Sequence, residues 1–303
     1  MTDEILERFA HQNEVVDDLQ ELVRGFYNEL NEVIEKENPP AIWNMDDVGI
    51  TFEPLITKTL NYKGDRNVGI LSLQAHHKRM TFILMISSTG AIAPPVLLYY
   101  SKGFQQFSIE EFPEVLITNN SRGYNTEDTN YNEVLPHFLR FIEPNSMLLL
   151  DECKGHRSER ISLLLKERRI RCIRLPGGTT PFLQPVDSSI GKFVKNEVRA
   201  QFIKWCTDNI DEITAPEGRR RKSFRCPTNQ LMAKWIMEGV KKLKPELIIG
   251  SFMNTGVLSK DRQDYIINNR LPKCFVNKDQ TVKPENAEIK ITKEETNCKQ
   301  ETN

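Results

Sequence analysis

The sequence predicts a mixed α/β domain, and two observations carry that prediction. In the first half, short apolar runs follow one another closely: AIWNMDDVGI (41–50), VGILSLQA (68–75), MTFILMIS (80–87) and PPVLLYY (94–100). Such spacing reads as an antiparallel meander. In the second half, SMLLLD (146–151) and IRCIRL (170–175) alternate with helical stretches, which is the pattern of crossover units.

Each element has its own signal. Residues 13–36 read as a helix because Val15, Leu19, Leu22, Val23, Phe26, Leu30, Val33 and Ile34 recur at spacings of three and four. Asn38-Pro39-Pro40 stops it. The first strand ends in paired acids, Asp46-Asp47, and Ser88-Thr89-Gly90 supplies a turn of the meander. Residues 101–129 read as loops, marked by Asn119-Asn120 and Arg122-Gly123. Residues 132–142 and 158–168 read as helices, and Pro176-Gly177-Gly178 breaks the strand before it. From Asp187 a helix begins with Ile190, Phe193, Val194, Val198, Phe202 and Trp205 on one face. Helical stretches over 228–243 and 245–254 follow. Three segments result: a helical lead-in (1–39), the α/β domain (40–262), and a polar tail (263–303) without core periodicity, predicted to be disordered.

Composition excludes several classes. A chain of 303 residues buries enough apolar surface to fold without staples. The net charge of −1 argues against whole-molecule attraction to nucleic acid, so any basic surface is local. The six cysteines are scattered, with no C-x-x-C and no zinc spacing, which reads as free thiols in a reducing compartment. No secretory core opens the chain and no apolar run approaches the ~20 residues of a membrane span. A cytosolic or nuclear location is expected, with no membrane partner.

Three acids stand out by position. Asp46 ends the first strand, Asp151 ends the apolar run MLLL, and Asp187 opens the long helix. If the two strands are neighbours, Asp46 and Asp151 face the same end of the sheet, and the helix brings a third carboxylate. Three converging carboxylates repel unless a divalent cation neutralises them, and hard oxygen ligands favour Mg²⁺ or Mn²⁺. Two such ions suit in-line phosphoryl displacement. Plainer readings stand beside this one. Asp187 before Ser188-Ser189 suits an N-cap, Asp46-Asp47-Val48-Gly49 suits a turn, and Asp151 suits a solvated strand end.

The residues around these acids carry a resemblance. NMDDVG (44–49), RMTFILMISSTGAIAPPV (79–96), LLLDECKGH (148–156), LPGGTTPFLQPVDSSIGKFVK (175–195) and PELIIGSFMNTGV (245–257) occur in order. Together they resemble the pogo, Tigger and jerky group of DDE transposases, the pogo branch most of all, and the L-Q-P-x-D segment is the most specific. The resemblance covers about 40–262. It implies a ribonuclease-H-like fold, a metal-binding catalytic triad at Asp46, Asp151 and Asp187, two Mg²⁺ or Mn²⁺ ions, and DNA phosphodiesters as substrate. It also implies a nuclear location. The sequence departs from the group's pattern at Asp47, at Glu152-Cys153-Lys154 and at Ser188-Ser189. In front of the first acid only about forty residues stand. They read as one helix leading into the domain, so no DNA-reading helix-turn-helix is expected there.

Arg219, Arg220, Arg221 and Lys222, with Arg225, form the densest basic run, read alternatively as a phosphate contact, a nuclear-import signal or a solvated loop. Arg168, Arg169, Arg171 and Arg174 form a second basic group. His156, five residues after Asp151, suits a structural role or one beside the metals; His76-His77 read as solvated. Gln184 and Pro185 are expected to shape the loop that aims Asp187. Two functions compete: a metal-dependent DNA endonuclease, and a domesticated DNA- or protein-binding module on the same fold that no longer cuts. Protein partners or a homo-oligomer suit either.

Overall fold

The computed structural model describes residues 3–53, 78–101, 107–153, 158–209 and 226–271, with side chains from residue 19 onward. Contacts divide the chain into Asp18–Leu271 and a second unit, Met1–Asp17 with Pro272–Asn303, of which helical backbone alone is described.

The main body is one six-stranded sheet. Helix α1 (Asp3–Glu37) leads into β1 (Ile42–Thr51), β2 (Arg79–Ser87), β3 (Val96–Tyr100) and β4 (Leu116–Asn120). A helical run follows: α2 (Glu127–Thr129), a π-helical turn (Asn130–Val134) and α3 (Leu135–Phe138). Then come β5 (Met147–Asp151), α4 (Glu159–Glu167), β6 (Arg171–Leu175) and α5 (Thr180–Leu183). A second π-helical turn (Val186–Ile190) opens directly into α6 (Gly191–Asp208). Helices α7 (Asn229–Lys241), α8 (Pro245–Asn254) and α9 (Lys260–Tyr265) close the body, with a last π-helical turn, Ile266–Arg270.

The strand order is β4-β3-β2-β1-β5-β6. β2 runs antiparallel to both neighbours, and the other pairs are parallel. Successive strand residues face opposite sides of the sheet, and each side has its own core. Ile42, Val48 and Ile50 of β1 join Phe82, Leu84, Met147 and Leu149 against α1, α6 and α7 through Phe26, Leu30, Val194 and Ile236. Trp43 and Met45 join Ile83, Met85, Leu148 and Leu150 against Leu135, Phe138, Ile161 and Leu165 on the other side. Each such side chain, fully buried, contributes about 1.5–3 kcal/mol.

The tight β2–β3 connection depends on Gly90. Its φ is +90°, and a Cβ there would stand 2.8 Å from the Cβ of Pro245, at the start of α8. Only glycine meets both conditions without strain.

Several expectations need correction. The first strand does not end at its acids: Asp46 and Asp47 pair with Leu84 and Ile83, and β1 continues to Thr51. Residues 101–129 are not loop throughout, since β4 lies there as a half-buried edge strand parallel to β3. The polar tail does not begin at 263. Gln263 bonds Asn31 and the carbonyl of Gly256, and Ile266, Ile267 and Leu271 are buried in the first core. The predicted strand 68–75, His76-His77, His156, the basic run Arg219, Arg220, Arg221, Lys222 and Arg225, and residues beyond 271 lie outside the described residues.

Candidate active site

Asn44, Asp46 and Val48 share one face of β1, and Asp46 is 6% exposed. The parallel register of β1 and β5 pairs Asn44 with Leu149. Two residues further along each strand stand Asp46 and Asp151, on the same face because both steps are even. Asp47 points the opposite way, where Asn125 donates to its carboxylate at 3.3 Å. Only one of the paired acids therefore faces the side of the sheet that carries Asp151.

Asp187 comes from the π-helical turn before α6. Its backbone and that of Pro185 before it are already helical, so it is not an N-cap. Leu183, Val186 and Ile190 anchor the segment in the core on the Asp46 side of the sheet. Gly191 lets α6 begin directly on β1, its missing Cβ 3.4 Å from both methyls of Val48. The carbonyl of Gln184 accepts from the Ser188 N–H at 3.0 Å, which closes the turn around Asp187.

A hydrogen bond joins the carboxyls of Asp46 and Asp187, and it lowers the pKa of Asp187. Two carboxyls so placed hold one proton between them. Asp46 is the holder: burial first, then the charge of Asp187, push it up from its ordinary 3.8 to about 8, against a smaller pull from Gln184, and Asp47 adds to the rise. Asp187 itself sits at the rim with much of its surface open to solvent. Its pKa is raised, mainly by desolvation of the carboxyl; Asp46 and Lys195 pull it down and Asp151 adds repulsion. The third acid is thus within electrostatic reach of the pair. Asp151 is half-buried at the end of β5, where its Oδ1 accepts from the Cys153 N–H at 3.3 Å and its carbonyl meets Arg174 Nη1 at 3.5 Å.

Two uncharged amides complete the surroundings, and neither stands out by spacing. Gln184 is fully buried beside Asp46, and neither of its amide atoms makes a well-aligned hydrogen bond. Asn44, also fully buried, donates from Nδ2 to the carbonyl of Leu149 at 3.1 Å and accepts at Oδ1 from the Val186 N–H at 3.0 Å. The sequence signals Asn44 in two ways, as a polar residue inside an apolar strand and as the first residue of the NMDDVG segment.

The donor set fits a hard divalent cation. Two carboxyls in contact, a third nearby and a buried amide beside them offer oxygen atoms of the kind such a cation takes, and carboxyls whose charge is opposed by their surroundings. Among the described residues, no group of three His, Cys, Asp or Glu side chains is spaced to hold a metal as it stands. Of the second basic group, Arg174 reaches the backbone carbonyl of Asp151 from the opposite face of the sheet, whereas Arg171 shares the face of the acids but stands four residues back along β6. No described helix is long and apolar enough to cross a membrane.

Known proteins resemble this chain in sequence and in fold. Residues 77–252 match the family model described as DDE superfamily endonuclease, a span that contains Asp151 and Asp187 but not Asp46. The chain is 25% identical over 244 residues to the pogo transposable element with KRAB domain of Mus musculus, covering 76% of this chain and 38% of that protein. For the Homo sapiens protein of that name the identity is 24% over 226 residues, covering 71% and 35%. The chain therefore spans well under half the length of these relatives. Among solved structures, the Mos1 strand transfer complex superposes with a TM-score of 0.51 at 12% identity, over 84% of this chain and 62% of that one. A Mos1 mariner paired end complex with Mg superposes with a TM-score of 0.50 at 11% identity, over 84% and 62%. At such identities the likeness is one of fold, and that fold is the ribonuclease-H-like sheet with flanking helices.

Proposed function

Because the chain belongs to the DDE superfamily endonucleases, we propose that it is a transposase-derived, metal-dependent domain that cuts DNA phosphodiesters, with Asp46, Asp151 and Asp187 as its catalytic acids. The observation that carries this reading is the Asp46–Asp187 pair, one proton between two carboxyls with Asp151 in reach. A structural role for these acids leaves their mutual repulsion unexplained, whereas cation binding relieves it. The Mos1 complex solved with Mg supports the choice of ion, and the Mos1 strand transfer complex supports DNA as partner.

The three acids would hold two Mg²⁺ or Mn²⁺ ions, which when bound supply neutralisation of the phosphate and activation of the attacking oxygen. The chain's own part is presentation. β1 and β5 offer Asp46 and Asp151 from rigid paired strands, and the π-helical turn brings Asp187 to them. Lys195, one of the charges felt by Asp187, adds positive potential where a phosphate would lie. Work on DNA implies a nuclear location, which imaging of the tagged chain tests.

Asp151→Asn decides the matter. Mg²⁺-dependent nicking of supercoiled plasmid is expected from the wild type and not from this variant, while circular dichroism shows the same fold. Equal nicking by both would trace the activity to a contaminant and remove the reading. One observation favours the rival, a non-cutting DNA- or protein-binding module: no three acids among the described residues are spaced as a ready metal site. Wild-type protein that binds neither Mg²⁺ nor Mn²⁺, with or without DNA, would establish that rival.

A further inference from the structure

The three acids lie on segments far apart in the chain, and one buried side chain of the first segment bonds the backbone of the other two. Asn44 is a residue of β1 itself, two positions before Asp46. Its Nδ2 donates to the carbonyl of Leu149, two positions before Asp151, across 105 residues of sequence. Its Oδ1 accepts from the N–H of Val186, immediately before Asp187, across 142 residues. Both bonds are buried and Asn44 has no exposed surface.

We infer that Asn44 is the positioning residue of the site, setting the spacing of the three acids before any cation or DNA arrives. The inference rests on the reading of those acids as metal ligands. Its basis is geometric. Ordinary sheet pairing fixes β1 against β5 along the hydrogen-bonding direction, but it leaves the π-helical turn free to slide over the sheet. Val186 N–H has no partner within its own turn, because it stands among the first N–H groups of a helical segment. Asn44 supplies that partner from inside the sheet and so ties the turn to one position along β1. Besides the Asp46–Asp187 carboxyl pair, whose ionisation changes when a cation is bound, the packing at the end of the turn is apolar, with Val48 beside Gly191, and sets its depth more than its register.

An amide suits this place better than other polar side chains. It offers a donor nitrogen and an acceptor oxygen at fixed separation, which here meet one carbonyl and one N–H. It also carries no charge beside a buried carboxyl whose own ionisation is already opposed. A carboxylate at position 44 would add to that repulsion, and an alcohol is too short to meet both partners. Metal affinity is sensitive to such supports: removing a group that orients ligands typically costs about 10- to 100-fold.

The test is Mn²⁺ binding by calorimetry on the full chain at a temperature where all variants are folded. Wild type is compared with Asn44→Ala, with Asp187→Ala, and with Leu135→Ala, a truncation in the other core that lowers stability without touching the site. Asn44→Ala is expected to bind Mn²⁺ about 10- to 100-fold more weakly, while Leu135→Ala binds as wild type does. Where nicking is measurable, the rate of Asn44→Ala at low Mn²⁺ falls and recovers at high Mn²⁺, while Leu135→Ala follows the wild-type Mn²⁺ dependence. Unchanged Mn²⁺ affinity in Asn44→Ala, or an equal loss in Leu135→Ala, overturns the positioning role while leaving the acids as ligands. Wild-type affinity that survives Asp187→Ala overturns the metal reading itself, and the positioning role with it. If Asn44→Ala fails to fold, Asn44→Ser takes its place under the same criteria.

Discussion

The carboxyl of Asp46 donates a hydrogen bond to the carboxylate of Asp187, so a buried strand residue and a residue at the rim of the site share one proton. The arrangement is lopsided: the charge of Asp187 raises the cost of ionising Asp46, while the hydrogen bond from Asp46 eases the ionisation of Asp187.

The first prediction concerns pH. Asp46 ionises near 3.8 in an unfolded chain and near 8 in the fold. A pKa raised by folding contributes stability that is full below the unfolded value and is lost as pH rises through the folded one. Without divalent cations, the thermal midpoint should therefore fall as pH goes from about 5 to about 8. Adding Mg²⁺ should restore more stability at pH 8 than at pH 5. Scanning calorimetry in chelator and in Mg²⁺ measures both, and a midpoint that rises with pH in chelator would contradict the protonated pair.

The second prediction separates the adjacent acids. Asp46→Asn mimics the protonated carboxyl, so the metal-free fold at pH 8 should be at least as stable as wild type while Mn²⁺ binding is lost. Asp47→Asn, on the other face beside Asn125, should retain Mn²⁺ binding. Parallel titrations of the two variants check this, and loss of binding in both would mean that β1 presents its acids differently.

The third uses a pair of glycines. Gly90→Ala imposes a side chain at φ +90° and a clash with the Cβ of Pro245. The left-handed region alone costs an alanine about 1–2 kcal/mol, and the clash adds to it. Gly250→Ala, within α8 and with nothing inside 4 Å of the added carbon, should stabilise by about 0.5–1 kcal/mol through helix propensity. Urea unfolding of both variants should move the midpoint in opposite directions.

The fourth tests the end of the ordered body. A chain ending at 262 loses the buried side chains of Ile266, Ile267 and Leu271. At about 1.5–3 kcal/mol for each, it should unfold well before a chain ending at 271. Equal stability of the two truncations would return the boundary to its sequence-predicted place.

Much of the sheet was legible because apolar runs and their breakers mark strands directly. Asp151 stood out since a fully apolar strand ended on it. Asp46 was named but misplaced at a strand end, because an acid inside a strand contradicts ordinary patterning. The structure removes the contradiction by turning Asp47 to Asn125 and Asp46 to Asp187. β4 was illegible: LITNN is short and ends in two asparagines, and it is a strand because β3 offers it a free edge. Asp187 looked like a cap because the sequence does not distinguish a helix start from a π-helical turn continuing into one. The partners of Asn44 were beyond sequence reading, since both are backbone groups more than a hundred residues away.

The place of β1 in the strand order reaches beyond chemistry. It separates β2, which is buried at all but its first residue, from β5, which is buried at all but its last. It also lies outside the span that matches the family model. A transcript or expression clone begun after Thr51 would thus not yield a smaller version of this protein. It would leave two apolar strand edges, of nine and five residues, bare at the middle of the sheet, each a template for pairing with another copy. The first strand is therefore also the molecule's protection against self-association.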